Sequence, residues 1–465
     1  MNKPVKNLNT AGIDNSPDQD DLLSVRKWLP FVTLEGAFAN VFIVYTGGAF
    51  LTGLALMLGA NDFEIGLLAA IPFLSQMAQL FSAYAIDRTG KRKPITMWCI
   101  ILGRQLWWLL LPLLFVSGNW RLEALLIIVI FSSILIMFAT PGWLSWMAEL
   151  VPDRIRGRYF GNRSAVIAIS TISSVLLGGI ILDKFRAINH ELIGFAIIIG
   201  AACLFALIAV ILLGKLPDKS PAEIKVKRTW SHIIEPLKNK AFRHLLRVFM
   251  VWNFAIGISA AFFAPHMLNN LKMTWTLIAM YASIASLVAV ALNKPWGILI
   301  DRFGSKPVIA TCAFGIAIVP MIWWIPRADF LWILWFESIF TGGLWTGFNL
   351  AAFNIPISNS PKEGRAIYLA MFSVVTGLAF FAASLMGGAL AQTWSHVHWH
   401  LGKQIIVNYH LLFALSSVLR FLGAFMALSF HEPKEKEIPL MIQTMGYAVL
   451  RRLSVGRQLF PWISR

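Results

Sequence analysis

Two carboxylic acids stand where such groups are costly. Of the 23 Asp and Glu residues, only Glu35 and Glu337 lie well inside long apolar runs. If those runs cross a bilayer, a charge near their centre costs ~2.5–3.5 kcal/mol on insertion scales. An acid retained there has a partner, a watery cavity or a proton to carry. A carboxyl in such surroundings can bind and release a proton, so Glu35 and Glu337 are the candidates for proton coupling. The alternative is a structural acid that hydrogen-bonds a neighbouring helix. Two cations are stranded in the same way. Arg104 reads as ion-paired to a distant acid or as a ligand-binding group. Arg420 lies in the cytoplasmic half of its run, from where its long stem can snorkel to the headgroups.

No metal or nucleophile spacing accompanies these residues. The chain has no His-Glu-x-x-His, no Gly-x-Ser-x-Gly and no phosphate loop, so an enzyme is not expected. No metal site or cofactor is expected either. Cys99, Cys203 and Cys312 fall inside apolar runs without pairing or ligand spacing. His396, His398 and His400 alternate in a polar connection and read as a solvated loop. The formal charge of +17 does not mark a nucleic-acid partner, because the cations sit in short clusters between apolar runs.

The elements that must position these groups follow from hydrophobicity. Apolar residues make up 57% of the 465 and charged residues 14%, against roughly 25% charged in a soluble domain. Twelve runs are long enough to span a bilayer: 28–58, 63–86, 94–116, 122–150, 161–182, 191–214, 243–269, 275–300, 307–326, 329–357, 366–393 and 405–430. Backbone polar groups in lipid must be satisfied internally, which predicts helices. The fold expected is all-α and membrane-embedded. A polar tail (1–22) precedes an N-terminal six-helix bundle (23–214). A central loop (215–242), a C-terminal bundle (243–430) and a basic amphipathic tail (431–465) complete the chain. Residues 1–22 carry Asp14, Asp18, Asp20 and Asp21 and no apolar stretch, so no cleavable signal is expected. With the N-terminus inside, 32 of the 40 Lys and Arg fall on the cytoplasmic side and 6 on the other. The positive-inside rule and the even span count therefore agree on cytoplasmic termini.

The two halves repeat each other. Asp87-Arg88-Thr89-Gly90-Lys91-Arg92 follows span 2, and Asp301-Arg302-Phe303-Gly304-Ser305-Lys306 follows span 8. Pro152 and Arg156 after span 4 match Pro361 and Arg365 after span 10, and Gly178-Gly179 in span 5 matches Gly387-Gly388 in span 11, both at an offset of 209. Parallel six-helix repeats of this kind are found in secondary transporters.

With these loops the chain resembles the major facilitator superfamily, whose signature after span 2 is Gly-x-Leu-x-Asp-Arg-x-Gly-Arg-(Arg/Lys)-(Lys/Arg). The second copy matches from Gly297 to Lys306; the first matches from Asp87 to Lys93, with Ala83 in place of the glycine. Glu149-x-x-Pro152-x-x-x-Arg156-Gly157 resembles the sugar-porter branch, while the glutamine-rich span 7 of that branch is absent. The drug–proton antiporter pattern Gly-Pro-x-x-Gly-Gly is missing from span 5. The resemblance implies two pseudo-symmetric six-helix bundles working by alternating access. It further implies a monomer in a bacterial inner membrane that moves a small solute, with proton symport the first expectation and efflux or facilitated diffusion the others.

Two groups of residues acquire roles from this resemblance. Gly90 and Gly304 permit tight turns. Asp87 and Asp301 can accept from free N–H groups at a helix start in the opposite half. Arg88, Lys91 and Arg92 can pair with an acid at a helix end, for which Glu149 is available, and Arg156, Arg302 and Arg365 complete the set. Together they are expected to latch the cytoplasmic side. The family's cavity is lined by spans 1, 4, 7 and 10. Polar and aromatic residues there are the cavity candidates: Asn40, Tyr45, Thr140, Ser145, Asn253, Trp345, Asn349 and Asn354.

Overall fold

The computed structural model describes residues 27–118, 120–218, 234–361, 365–430 and 441. The polar tail, most of the central loop and nearly all of the C-terminal tail, with its expected amphipathic character, lie outside the described residues.

Among the described residues, eleven helices are long and apolar enough to cross a membrane. They are α1 (Leu29–Met57), α2 (Asp62–Ile86), α3 (Arg92–Phe115), α4 (Trp120–Leu150), α5 (Asp153–Ala187), α6 (Glu191–Gly214), α7 (Lys240–Asn270), α8 (Trp275–Phe303), α9 (Ser305–Ile322), α11 (Arg365–Thr393) and α12 (Asn408–Ala427). The remaining expected span is α10 (Ile333–Ser358), a helix of 26 residues. At 1.5 Å per residue it is about 39 Å long and can span a bilayer. It falls short of the others in apolarity because Glu337, Ser338, Thr341, Thr346, Asn349 and Asn354 interrupt it.

Local chemistry sets the ends and breaks of these helices. Asn61 and Glu64 form a reciprocal capping box at the start of α2, with Glu64 N–H donating to Asn61 Oδ1 at 3.0 Å and Asn61 N–H to Glu64 Oε2 at 2.8 Å. The helical path of α2 continues to Thr89 and stops at Gly90, whose φ of 65° is left-handed. Gly304 stops α8 at the corresponding place with φ 93°. Inside α1 the helix breaks at Thr46-Gly47 and restarts at Gly48, also at positive φ (53°).

Packing follows a pseudo-two-fold pattern. α1 lies against α5 and α6 as α7 lies against α11 and α12, and α4 packs on α2 and α3 as α10 packs on α8 and α9. The halves meet along two exchanged pairs, α2 with α11 and α5 with α8. We call the end carrying the start of α1 and the end of α12 the tail face, and the other end the far face. The α2–α11 contact is close: a Cβ on Gly66 would stand 2.6 Å from the Ser384 carbonyl oxygen and 2.9 Å from Gly388 Cα.

The histidine-bearing connection after α11 is not an open loop. β1 (His398–Leu401) pairs antiparallel with β2 (Gln404–Val407) around Gly402, which takes φ 61°. A glycine at that turn position matches the twist of a two-residue hairpin. His398 and His400 lie exposed on this hairpin.

Candidate functional site

The two stranded acids have different surroundings. Glu35 of α1 is 2% exposed. Arg104 of α3 brings Nη2 to 3.9 Å from its Oε1, and Arg163 of α5 brings Nη2 to 3.5 Å from its Oε2. The distant acid expected for Arg104 is therefore Glu35. Arg163 reads in the sequence as one of the loop cations, but it lies inside α5. There its Nε donates to the Val32 carbonyl and its guanidinium lies 5.2 Å over the Trp143 ring of α4. Gly36 makes room for it, since a Cβ there would sit 2.5 Å from Arg163 Nη2.

Glu337 of α10 is also 2% exposed. Tyr281 of α8 donates to its Oε2 at 2.5 Å and Thr341, one turn on, to its Oε1 at 2.7 Å. Its carboxylate thus sits in the α8–α10 contact. Arg420 lies within electrostatic reach of it. Arg420 does not snorkel. It is 2% exposed and turns inward to Ser259 Oγ (3.2 Å) and the Ile316 carbonyl (3.4 Å), which offer acceptors inside the bundle.

Each cavity candidate has its own surroundings. Asn40 donates to Thr171 on α5 at 2.8 Å, so its amide ties α1 to α5. Tyr45 is buried edge-on against Phe50. Thr140 and Asn253 bond to carbonyls of their own helices, those of Ile136 and Phe249. Ser145 accepts from Arg92 at 3.2 Å. Trp345 is half-buried, edge-on to Phe348, while Asn349 is exposed and Asn354 half-buried on α10.

At the tail face the first copy of the loop motif is tied to its own half. Arg92, 1% exposed, pairs with Glu149 at the end of α4 (2.7 Å) and with Asp218 after α6 (2.9 Å). Arg88, Asp301 and Arg302 are exposed. The side chains of Asp87, Arg156 and Arg365 lie outside the described residues.

Sequence reasoning missed the far face, where hydrogen bonds between described residues join the two halves. Asp62, at the start of α2, accepts from Tyr409 Oη at 2.6 Å and from Asn408 Nδ2 at 2.8 Å, both on α12. Asp183 of α5 accepts from the N–H groups of Trp275 (2.9 Å) and Thr276 (2.8 Å), the first turn of α8. The Trp275 indole donates to Glu191 at 2.6 Å and stacks on Phe50. An anion at a helix N-terminus satisfies free N–H groups and is favoured by the helix dipole.

Two exchanged helix pairs, a buried acid in each half and hydrogen bonds across the far face describe a fold of two related bundles. The chain belongs to the Major Facilitator Superfamily, whose profile matches residues 36–348 and 254–462. It is a multi-pass membrane protein with a transporter fold, and the proteins it resembles are transporters, not enzymes. A multi-drug resistance efflux pump of Streptococcus pneumoniae is 28% identical over 214 residues, 42% of this chain. The chain spans about half the length of that pump, 48%. An uncharacterized MFS-type transporter of Methanocaldococcus jannaschii is 23% identical over 349 residues, 72% of this chain and 84% of that protein. Among solved structures, a point mutant of the nucleoside transporter NupG superposes with a TM-score of 0.67 at 14% identity, over 86% of this chain and 100% of that one. A D-xylose–proton symporter superposes with a TM-score of 0.66 at 15% identity, over 89% and 98%.

Proposed function

We propose that the chain is a secondary active transporter that carries a small organic solute by alternating access, coupled to protons. The observation that carries this reading is the pair of buried carboxyls, Glu35 and Glu337, one in each bundle, the first beside two guanidiniums and the second hydrogen-bonded to Tyr281 and Thr341. The excess of Lys and Arg on the tail face supports a cytoplasmic position for that face and for both termini, in a bacterial cytoplasmic membrane. The hydrogen bonds of Asp62 and Asp183 across the far face then hold the two bundles together on the outer side. Residues 215–242 connect the two moving bundles, and the protein works as a monomer. Asp87, Arg88, Gly90 and Arg156 with Asp301, Arg302, Gly304 and Arg365 form the latch of the tail face, and the Arg92–Glu149 pair braces its first copy within the N-terminal half.

The 28% identity to a multi-drug efflux pump favours one second reading, proton-driven export through the same fold. The test is a proteoliposome screen over sugars, organic acids, peptides and metal chelates, with and without a pH gradient. Accumulation that follows the gradient supports coupled transport, and its direction separates import from export. Solute binding without flux in any condition would replace the carrier by a membrane sensor or scaffold.

A further inference from the structure

Among the described residues, the charges around Glu35 do not balance. One carboxylate, Glu35, faces two guanidiniums, Arg104 and Arg163, and the side chains are 3%, 10% and 13% exposed. Neither pairing is tight, at 3.9 and 3.5 Å, where charge-assisted N–H···O bonds run about 2.7–2.9 Å. Arg92 provides the contrast within the same half. It is a single cation between two acids and meets both at 2.7 and 2.9 Å. Arg104 Nη1 is buried without a hydrogen-bond partner. An uncompensated buried cation is strongly destabilising, and a guanidinium has five donors arranged for planar, two-oxygen acceptors. The place is also shaped. Gly36 leaves the room that Arg163 fills, and Trp143 forms its floor from α4.

We propose that Arg104 and Arg163 hold the carboxylate or phosphate group of the transported solute, beside or in place of the Glu35 carboxylate, so that the cargo is an organic anion. This rests on the transport reading above for the word cargo, but the oxyanion site stands on its own geometry. Sugars and nucleosides without an acidic group, and cationic drugs, would leave the second guanidinium uncompensated.

The first test uses the full chain purified in detergent and its unfolding temperature in sodium acetate, sodium phosphate and sodium chloride at equal ionic strength. Glu35→Gln removes the internal carboxylate. Acetate or phosphate should then raise its unfolding temperature by several degrees over chloride, and adding Arg163→Gln should abolish that difference. The larger shift identifies carboxylate or phosphate as the preferred group. Equal unfolding temperatures in the three salts would overturn the site. If Glu35→Gln does not fold, wild type and Arg163→Lys are compared in the same salts. An oxyanion-specific shift in wild type that the lysine loses supports the site, and its absence in wild type refutes it. The second test is uptake of glucose, glucuronate and glucose 6-phosphate, together with the solutes screened above, by wild type and Arg163→Gln. Uptake confined to neutral or cationic solutes and unaffected by Arg163→Gln would overturn the anionic cargo while leaving the carrier intact. An oxyanion shift without any uptake would instead remove the transport reading and keep the site.

Discussion

Tyr409 donates to Asp62 at 2.6 Å across the boundary between the two halves, from a position 347 residues further along the chain. Asn408 reaches the other oxygen of the same carboxylate. A hydrogen bond to a charged group contributes about 1.5–3 kcal/mol, or roughly 10- to 100-fold in an equilibrium. Tyr409→Phe and Asp62→Asn should therefore shift the population away from far-face closure by about that factor. Distances between spin labels at the far ends of α2 and α11 report the shift, and an unchanged distribution in both variants would rule the contact out as a gate.

Close helix approach makes a second, steric demand on the same face. Gly66 has no space for a side chain against Ser384 and Gly388. Gly66→Leu should wedge α2 from α11, leave protein in the membrane and reduce solute exchange to background. Exchange at the wild-type rate with Gly66→Leu would mean that α2 and α11 do not close in the transport cycle.

The two buried acids should separate from each other in function. Glu35→Gln leaves Arg104 and Arg163 without their carboxylate, whereas Glu337→Gln keeps the shape of the bonds from Tyr281 and Thr341. Loss of pH-driven accumulation with retained downhill exchange is the expected result for whichever acid carries the proton. If both variants accumulate solute with the pH dependence of wild type, neither acid is the coupling group.

At the tail face the ranking of single changes is informative. Arg92 is buried between two carboxylates, while Glu149 is about one-third exposed (35%). Removing one partner of a buried pair costs about 3–5 kcal/mol, and partial exposure discounts that figure for Glu149. Arg92→Gln should lower the unfolding temperature clearly more than Glu149→Gln, and both should slow transport. The reverse order in a thermal melt would show that the pair does not depend on Arg92 as its centre. Asp87→Asn should leave insertion intact and cut uptake, and normal uptake would remove Asp87 from the latch.

Much of the architecture was legible because lipid imposes it. Apolar runs had to be helices, and the repeated Asp-Arg-x-Gly loops announced two related halves. Gly90 and Gly304 fall where left-handed turns are needed. The site was read less well. Glu35 and Glu337 stood out because a charge inside an apolar run is costly. Arg163 did not, because it lies near the end of its run, where a cation in a loop and one turned inward look alike in sequence. The same ambiguity hid Asp62 and Asp183, which resemble ordinary acids at helix ends. Their partners lie 92 to 347 residues away, and no local pattern encodes such a pairing. Arg420 was misread for the opposite reason: a long cation near a helix end can snorkel, unless acceptors such as Ser259 Oγ draw it inward.

The polar character of α10 bears on how the chain is made. This helix falls short of the apolarity that marks the other eleven, and its acid is satisfied by Tyr281 of α8, made earlier in synthesis. Alone in lipid its carboxyl would keep only the bond from its own Thr341, with Ser338 deprived of the Tyr281 carbonyl it donates to. Its entry from the translocon should therefore await α8 and α9, so that the second bundle is inserted cooperatively and not helix by helix. Nascent chains truncated after α10, with a glycosylation acceptor placed beyond it, should register efficient insertion of α10 only when α8 with an intact Tyr281 precedes it. Equal insertion of the isolated segment would show that α10 enters the bilayer unaided.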